Sequence, residues 1–183
     1  MTLLSKVFPM AVREALMGIL TLGPAYGMQL HAELGDRAPH RAGTNVGQIY
    51  ATLDRLFKAR LVEPDGVNDE SLPLWKLTEL GREQAQAWLT GAELTEIPEW
   101  NELLDVVLVS RSVNSKAAST LVTKLQRMLR VAPKPGPNVL YSASEARYQD
   151  AVSLWLGDVR PEVGNGQVGY DLTRPKRGRP ARG

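Results

Sequence analysis

The sequence predicts a mainly α-helical protein with one small β-hairpin wing: a winged helix-turn-helix domain followed by a C-terminal α-helical dimerisation domain. Three observations carry this expectation. Residues 45–60 have the apolar period of a short amphipathic helix and lead directly into two strand-like runs. An apolar helix candidate and a second short helix precede them, separated by Gly23-Pro24. Beyond the hairpin, only helical patterns recur until residue 156.

Ala15 to Leu22 is an apolar helix that Gly23-Pro24 stops, because proline cannot continue the hydrogen-bond ladder. A second helix is expected over about Gly27 to Leu34. In the third, Ile49, Leu53, Leu56 and Phe57 recur at three- and four-residue spacing and gather on one face to be buried. Gln48, Thr52 and Arg55, at i, i+4 and i+7, are left for the opposite face, and these are residue types that read base edges and hold phosphates. With Asn45, Tyr50 and Lys58 on the same helix and Lys76 at the hairpin base, they form the expected DNA-binding set. Leu61 to Pro64 and Leu74 to Leu77 are the expected strands, joined by a Gly-, Asn- and Asp-bearing turn. Helix, turn, helix, helix and hairpin is the order of a winged helix-turn-helix, a DNA-binding module.

Thr78 is placed to cap a helix running to about Leu89, and Pro98-Glu99 opens another in which Trp100, Leu103, Leu104, Val107 and Leu108 share a face. Ser115 is expected to cap a third, striped by Leu121, Leu125, Met128 and Leu129. After the Pro133 to Pro137 breaker, a last helix from about Asn138 to Leu156 carries Tyr141, Tyr148 and Trp155 every seven residues, with Val152 between them. Such a seam packs either against a partner helix or within the monomer; on the first reading, these four residues are the expected dimerisation contacts of a homodimer. Paired C-terminal helices would set two reading helices about 34 Å apart on a palindromic operator. The expected domains are 1–92, 93–157, and 158–183 as a flexible linker and basic tail.

Several of these motifs resemble the PadR-like transcriptional regulators. The resemblance lies in Ile19-Leu20-Thr21-Leu22-Gly23-Pro24-Ala25-Tyr26-Gly27-Met28-Gln29-Leu30, in Gly47-Gln48-Ile49-Tyr50-Ala51-Thr52-Leu53-Asp54-Arg55-Leu56, and in Trp75-Lys76-Leu77-Thr78-Glu79-Leu80-Gly81. It covers roughly residues 12 to 90. Met28 stands where an aromatic is usual, and Arg60 where the family has glycine before the first strand, so either Arg60 takes an unusual backbone angle or the turn differs. The resemblance implies a homodimeric regulator of transcription, a repressor by family habit, released by a small aromatic effector. Trp88, Trp100, Trp155, Tyr141 and Tyr148 are the candidates to line its pocket, with Trp100 and Trp155 the expected effector-binding residues, although aromatics at helical spacing more often serve a core.

The net charge of +2 hides an asymmetry. Residues 174–183 hold five cations and no acid, whereas residues 61–110 hold two cations against eleven carboxylates. Asp65, Asp69 and Glu70 make the wing tip acidic, which phosphate would repel. A positive field for DNA must therefore come chiefly from Arg37, Arg41, Arg55, Lys58 and Arg60. Arg177-Gly178-Arg179-Pro180 resembles an AT-hook: glycine lets the backbone sit deep in a narrow minor groove whose potential attracts the arginines. Residues 158–173 read as a tether spanning about 22 Å, long enough to let the tail touch DNA beside the main site.

Composition narrows the alternatives. A chain of 183 residues, 43% hydrophobic, builds one or two compact domains without staples. No apolar run approaches the ~20 residues that span a bilayer, no signal sequence is evident, and no cysteine is present, all as expected of a cytoplasmic protein with no membrane partner. Two histidines and no cysteine leave no recognisable metal site, and no nucleophile elbow is present, so neither an enzyme nor a cofactor protein is expected. Two rivals stay open: a winged helix that binds protein through its acidic segment, and a nonspecific architectural DNA binder relying on the tail.

Overall fold

A computed structural model describes residues 10–68, 71–131, 138–159 and 169–170. The expectations for Asp69, Glu70, the 133–137 breaker and the tail residues Arg177, Gly178, Arg179 and Pro180 fall outside the described residues. Seven α-helices are described: α1 (Met10–Leu20), α2 (Gly27–Arg37), α3 (Val46–Lys58), α4 (Glu79–Leu89), α5 (Trp100–Val113), α6 (Ser115–Leu129) and α7 (Val139–Asp158), with a 3-10 turn at Pro39–Arg41. Strands β1 (Val62–Val67) and β2 (Pro73–Leu77) form one antiparallel hairpin. The protein is mainly helical with a small hairpin.

Helix α1 is the hub. Leu16, Met17, Ile19 and Leu20 are each at most 2% exposed, and α2, α4 and α5 all pack on it. Its apolar run continues to Leu22, but the helix ends at Leu20 because Thr21, Leu22 and Gly23 N–H groups donate three residues back and tighten the chain into a turn. Ala25 then exchanges two backbone hydrogen bonds with Trp75, at 3.0 and 2.9 Å, which fastens the α1–α2 turn to β2.

The α3–β1 junction resolves the Arg60 question. Arg60 N–H donates to Phe57 O and Leu61 N–H to Leu56 O, both at 2.9 Å, closing the helix in a Schellman arrangement whose C′ residue must be left-handed. Arg60 supplies that conformation, with φ of 57°, at a cost that glycine would avoid. On the far side of the hairpin, Thr78 caps α4 by accepting from Gly81 N–H (3.0 Å) while its hydroxyl donates to Arg60 O (2.8 Å). A Cβ on Gly81 would lie 1.9 Å from Leu61 O, so the Thr-x-x-Gly spacing welds the start of α4 to the start of β1.

Two apolar clusters result. The first joins α1, α2, α3, the strands and α4, and it also takes Val109, Val113 and Ala117 from α5 and α6. The second is Leu103, Val106 and Val107 of α5, Leu121 and Leu125 of α6, and Val152 and Leu156 of α7. Trp88 touches both, so α5 is shared across the expected boundary at residue 92. The predicted α5 stripe is rotated accordingly: Leu104 and Leu108 are only partly buried and Trp100 is 37% exposed, whereas Val106, Val109 and Val113 are buried. The α6 cap is Asn114, which accepts from Ala117 N–H at 3.0 Å, so Ser115 is the first helical residue rather than the cap.

Helix α7 departs most from expectation. Val152 is fully buried in the second cluster, the Tyr148 hydroxyl donates to Pro98 O, and Trp155 packs on Trp100 at 5.4 Å. Within the expected dimer seam Val152 is therefore covered by the chain itself, Tyr148 and Trp155 are partly covered, and Tyr141, 50% exposed, stays open. The start of α5 supplies the cover that periodicity alone could not locate. Within the expected tether, Gly169 and Tyr170 are seated on the body: the Tyr170 hydroxyl lies 2.6 Å from Gly23 O and 3.0 Å from Ile19 O, and Arg37 donates to Gly169 O at 3.4 Å.

Candidate nucleic-acid interface

Helix α3 begins at Asn45, whose side chain accepts from Gly47 N–H at 2.7 Å and so satisfies one of the donors left open at a helix start. Ile49, Leu53 and Leu56 are buried as expected, but Phe57 is 47% exposed and packs edge-on against Trp75, with ring centroids 5.7 Å apart. The ring of Tyr50 lies over Gly27, where a Cβ would come within 2.5 Å of it, leaving Tyr50 46% exposed. A glycine at the start of α2 is thus what lets α3 approach with an aromatic at this position.

One predicted reading residue is misplaced. Thr52 is 2% exposed; its hydroxyl donates to Gln48 O at 2.7 Å and accepts from Arg55 at 2.9 Å. It cannot touch a base edge, because the i, i+4, i+7 row rotates inward at its middle member. Thr52 instead positions Arg55, and Gln48 lies half-buried at the margin. The outward surface consists of Gly47, Tyr50, Ala51, Asp54, Arg55 and Lys58, all exposed. Gly47 and Ala51 are one turn apart and carry little side-chain bulk, so the helix backbone can approach a flat or grooved partner closely. The charges around them are mixed: Lys58 pairs with Asp54 at 2.6 Å.

The cations expected to supply a positive field are mostly committed elsewhere. Arg37 pairs with Glu33 at 2.7 Å and donates to Ser112 O at 2.9 Å. Arg41 grips both oxygens of Asp105, which is fully buried, at 3.0 and 2.6 Å, and His40 Nε2 lies 2.8 Å from the same carboxylate. Lys76 is held between Asp65 at 2.7 Å and Glu63 at 3.7 Å, and the Asp65 bond raises its pKa further above the ordinary lysine value. Arg55 and Arg60 remain exposed beside the paired Lys58. Sequence could show how many cations precede residue 60, but not that Arg37 and Arg41 face inward to α5.

The expected effector residues Trp100 and Trp155 are in contact with each other, with Tyr148 6.4 Å from Trp100, as a cluster between α5 and α7. Trp88 borders a cavity between α1, α4 and the start of α5. Among the described residues, no group of three or more His, Asp or Glu is placed to hold a metal ion, and no helix is long and apolar enough to cross a membrane. No protein-family model matches the chain, and no curated protein matches its sequence.

Proposed function

We propose that the protein is a winged-helix regulator of transcription, in the cytoplasm, that lays the outer face of α3 in the major groove of duplex DNA as a homodimer. One observation carries this reading. Helix α3 is clamped from behind by α2, capped at both ends and followed directly by a hairpin tied to the α1–α2 turn, while its Gly47–Ala51–Arg55 side is left unpacked. A rigid helix with a slim outer surface and an arginine set by a buried threonine is suited to entering a groove. Repression and release by a small effector complete the proposal on the strength of the PadR-like motifs.

The outer face of α7 favours the dimer. Leu140 and Leu154 are 83% and 76% exposed, Gly157 borders open space, and Arg147 pairs with Asp150 at 3.3 Å on the exposed side. Antiparallel pairing about a two-fold axis between residues 148 and 149 sets Leu154 against Ala143, Leu140 against Gly157, and Arg147 against Asp150 of the second copy. Each large residue meets a small one and each charge its opposite.

The test is a gel-shift series on fragments selected from genomic DNA. Arg55→Ala is expected to weaken specific binding at least tenfold, the usual loss for an arginine that reads a base; unchanged affinity refutes the assignment. The carboxylate-held Lys76 favours a second reading, in which the hairpin binds protein and DNA contact belongs to the tail. Truncation after Thr173 separates the two: retained sequence-specific binding supports α3, and complete loss supports the rival.

A further inference from the structure

A cavity of about 410 Å³ lies between α1, α4 and the start of α5, within the size range of small-molecule sites. Met17 and Trp88 form apolar wall, and Glu14, Glu93 and Glu102 bring three carboxylates to it. Arg13 is the only cation among the described lining residues, and its guanidinium is already set against Glu14 Oε1 and directed on to Gln84 at 3.4 Å. The Glu14 side chain is nine-tenths buried, and its Oε2 atom has no hydrogen-bond partner among the described residues. A buried carboxylate oxygen left without a donor is costly, and proteins keep few of them without a use. The indole of Trp88 stands on the same cavity, wedged against α1 because Gly18 has no side chain there.

We propose that this cavity binds a small amphipathic cation, an amine or amidine on an aromatic or aliphatic body, with Glu14 as charge partner and Trp88 as the stacking wall. An anion would meet three carboxylates, and a neutral apolar molecule would seal Glu14 Oε2 away still unpaired. A cation supplies the missing donor and gains from the indole face. The site also has a route to α3. Glu102 lies three residues before Asp105 on α5, and Asp105 holds Arg41 and His40 of the turn that leads into α3. A ligand drawn to Glu102 biases the helix that fixes that turn. This last step rests on the DNA-binding reading; the site itself does not.

Isothermal titration calorimetry of the full chain tests the site with 4-phenylbutylamine and 4-phenylbenzamidine, against 4-phenylbutanoate as the anionic counterpart. Both cations are expected to bind once per chain and the carboxylate at least tenfold more weakly. Glu14→Gln and Trp88→Leu, each checked for a native thermal transition, are expected to weaken cation binding at least tenfold and threefold. Absence of binding by both cations, equal binding of the carboxylate, or undiminished binding in both folded variants overturns the site. A DNA affinity that changes on adding either cation supports the coupling; saturable calorimetric binding with unchanged DNA affinity overturns the coupling alone. Should the protein bind no specific DNA, the calorimetry still decides the site.

Discussion

At the scale of single residues, backbone geometry explains motifs that would otherwise be only letters. Gly81 has to be glycine because Leu61 O occupies the place of a Cβ. Gly81→Ala is expected to cost about 3 kcal/mol, the upper end of overpacking, because the obstructing atom is backbone and cannot swing aside. Urea denaturation measures it, and a change under 1 kcal/mol would mean the junction is looser than described. The spacing Thr78-x-x-Gly81 was legible in the sequence, but the reason for its glycine was not, since Leu61 is twenty residues away. Arg60 shows the reverse case. The sequence marked it as anomalous, and the fold keeps it left-handed because Leu61 must turn back to Leu56 for the hairpin to start.

At the scale of elements, buried polar anchors join pieces that periodicity describes separately. Asp105 is fully buried and receives Arg41 and His40, tying α5 to the turn before α3. Asp105→Ala is expected to destabilise by ~3 kcal/mol, the low end for breaking a buried ion pair, because both partners keep some access to water. The same variant should weaken DNA binding, and native-state hydrogen exchange of the α3 amides should rise selectively; exchange raised equally everywhere would contradict the clamp. Tyr148 fastens α7 to Pro98, and Tyr170 fastens the chain to the end of α1. Burial disfavours both phenolates: Tyr148 is pushed up to about 12 with help from Glu99, and Tyr170 is raised further still. Both raised values mean that the folded state holds protons the unfolded chain has begun to release. Their stabilisation is complete below pH 10 and is lost as pH rises through the folded values. Thermal melts above pH 10 should therefore fall more steeply for the native protein than for the Tyr148→Phe/Tyr170→Phe double variant, and parallel slopes would contradict these anchors.

At the scale of the whole molecule, the charge asymmetry takes on a different meaning. Residues 61–110 are strongly acidic, yet their carboxylates are spent in different ways: Asp105 inside as a clamp, Asp65 and Glu63 on Lys76, and Glu93 and Glu102 around a cavity. With Arg37 and Arg41 turned inward and Lys58 and Lys76 paired with carboxylates, the surface around α3 and the hairpin offers DNA few free cations, so association should lean on residues 174–183. The assembly proposed for α7 has its own test. Leu154→Glu places a carboxylate where Ala143 of the second copy would pack, and is expected to convert a dimer to monomer in sedimentation equilibrium at micromolar concentration; an unshifted mass would place the interface elsewhere.

The sequence by itself determined the order of the helices, the hairpin and the Thr78 cap, because those follow from local chemistry: apolar period, proline and glycine stops, and a threonine oxygen within three residues of an open N–H. It also located α3 as the element with an unpacked side. Only the tertiary structure decided what each side chain was used for. Thr52 turned inward to hold Arg55, Tyr148 and Trp155 packed against the start of α5, and Trp88 came to border the cavity between α1, α4 and α5. The physical reason is the same in each case. Periodicity fixes the angle of a residue about its own helix, whereas burial and pairing depend on which distant element fills the space in front of it.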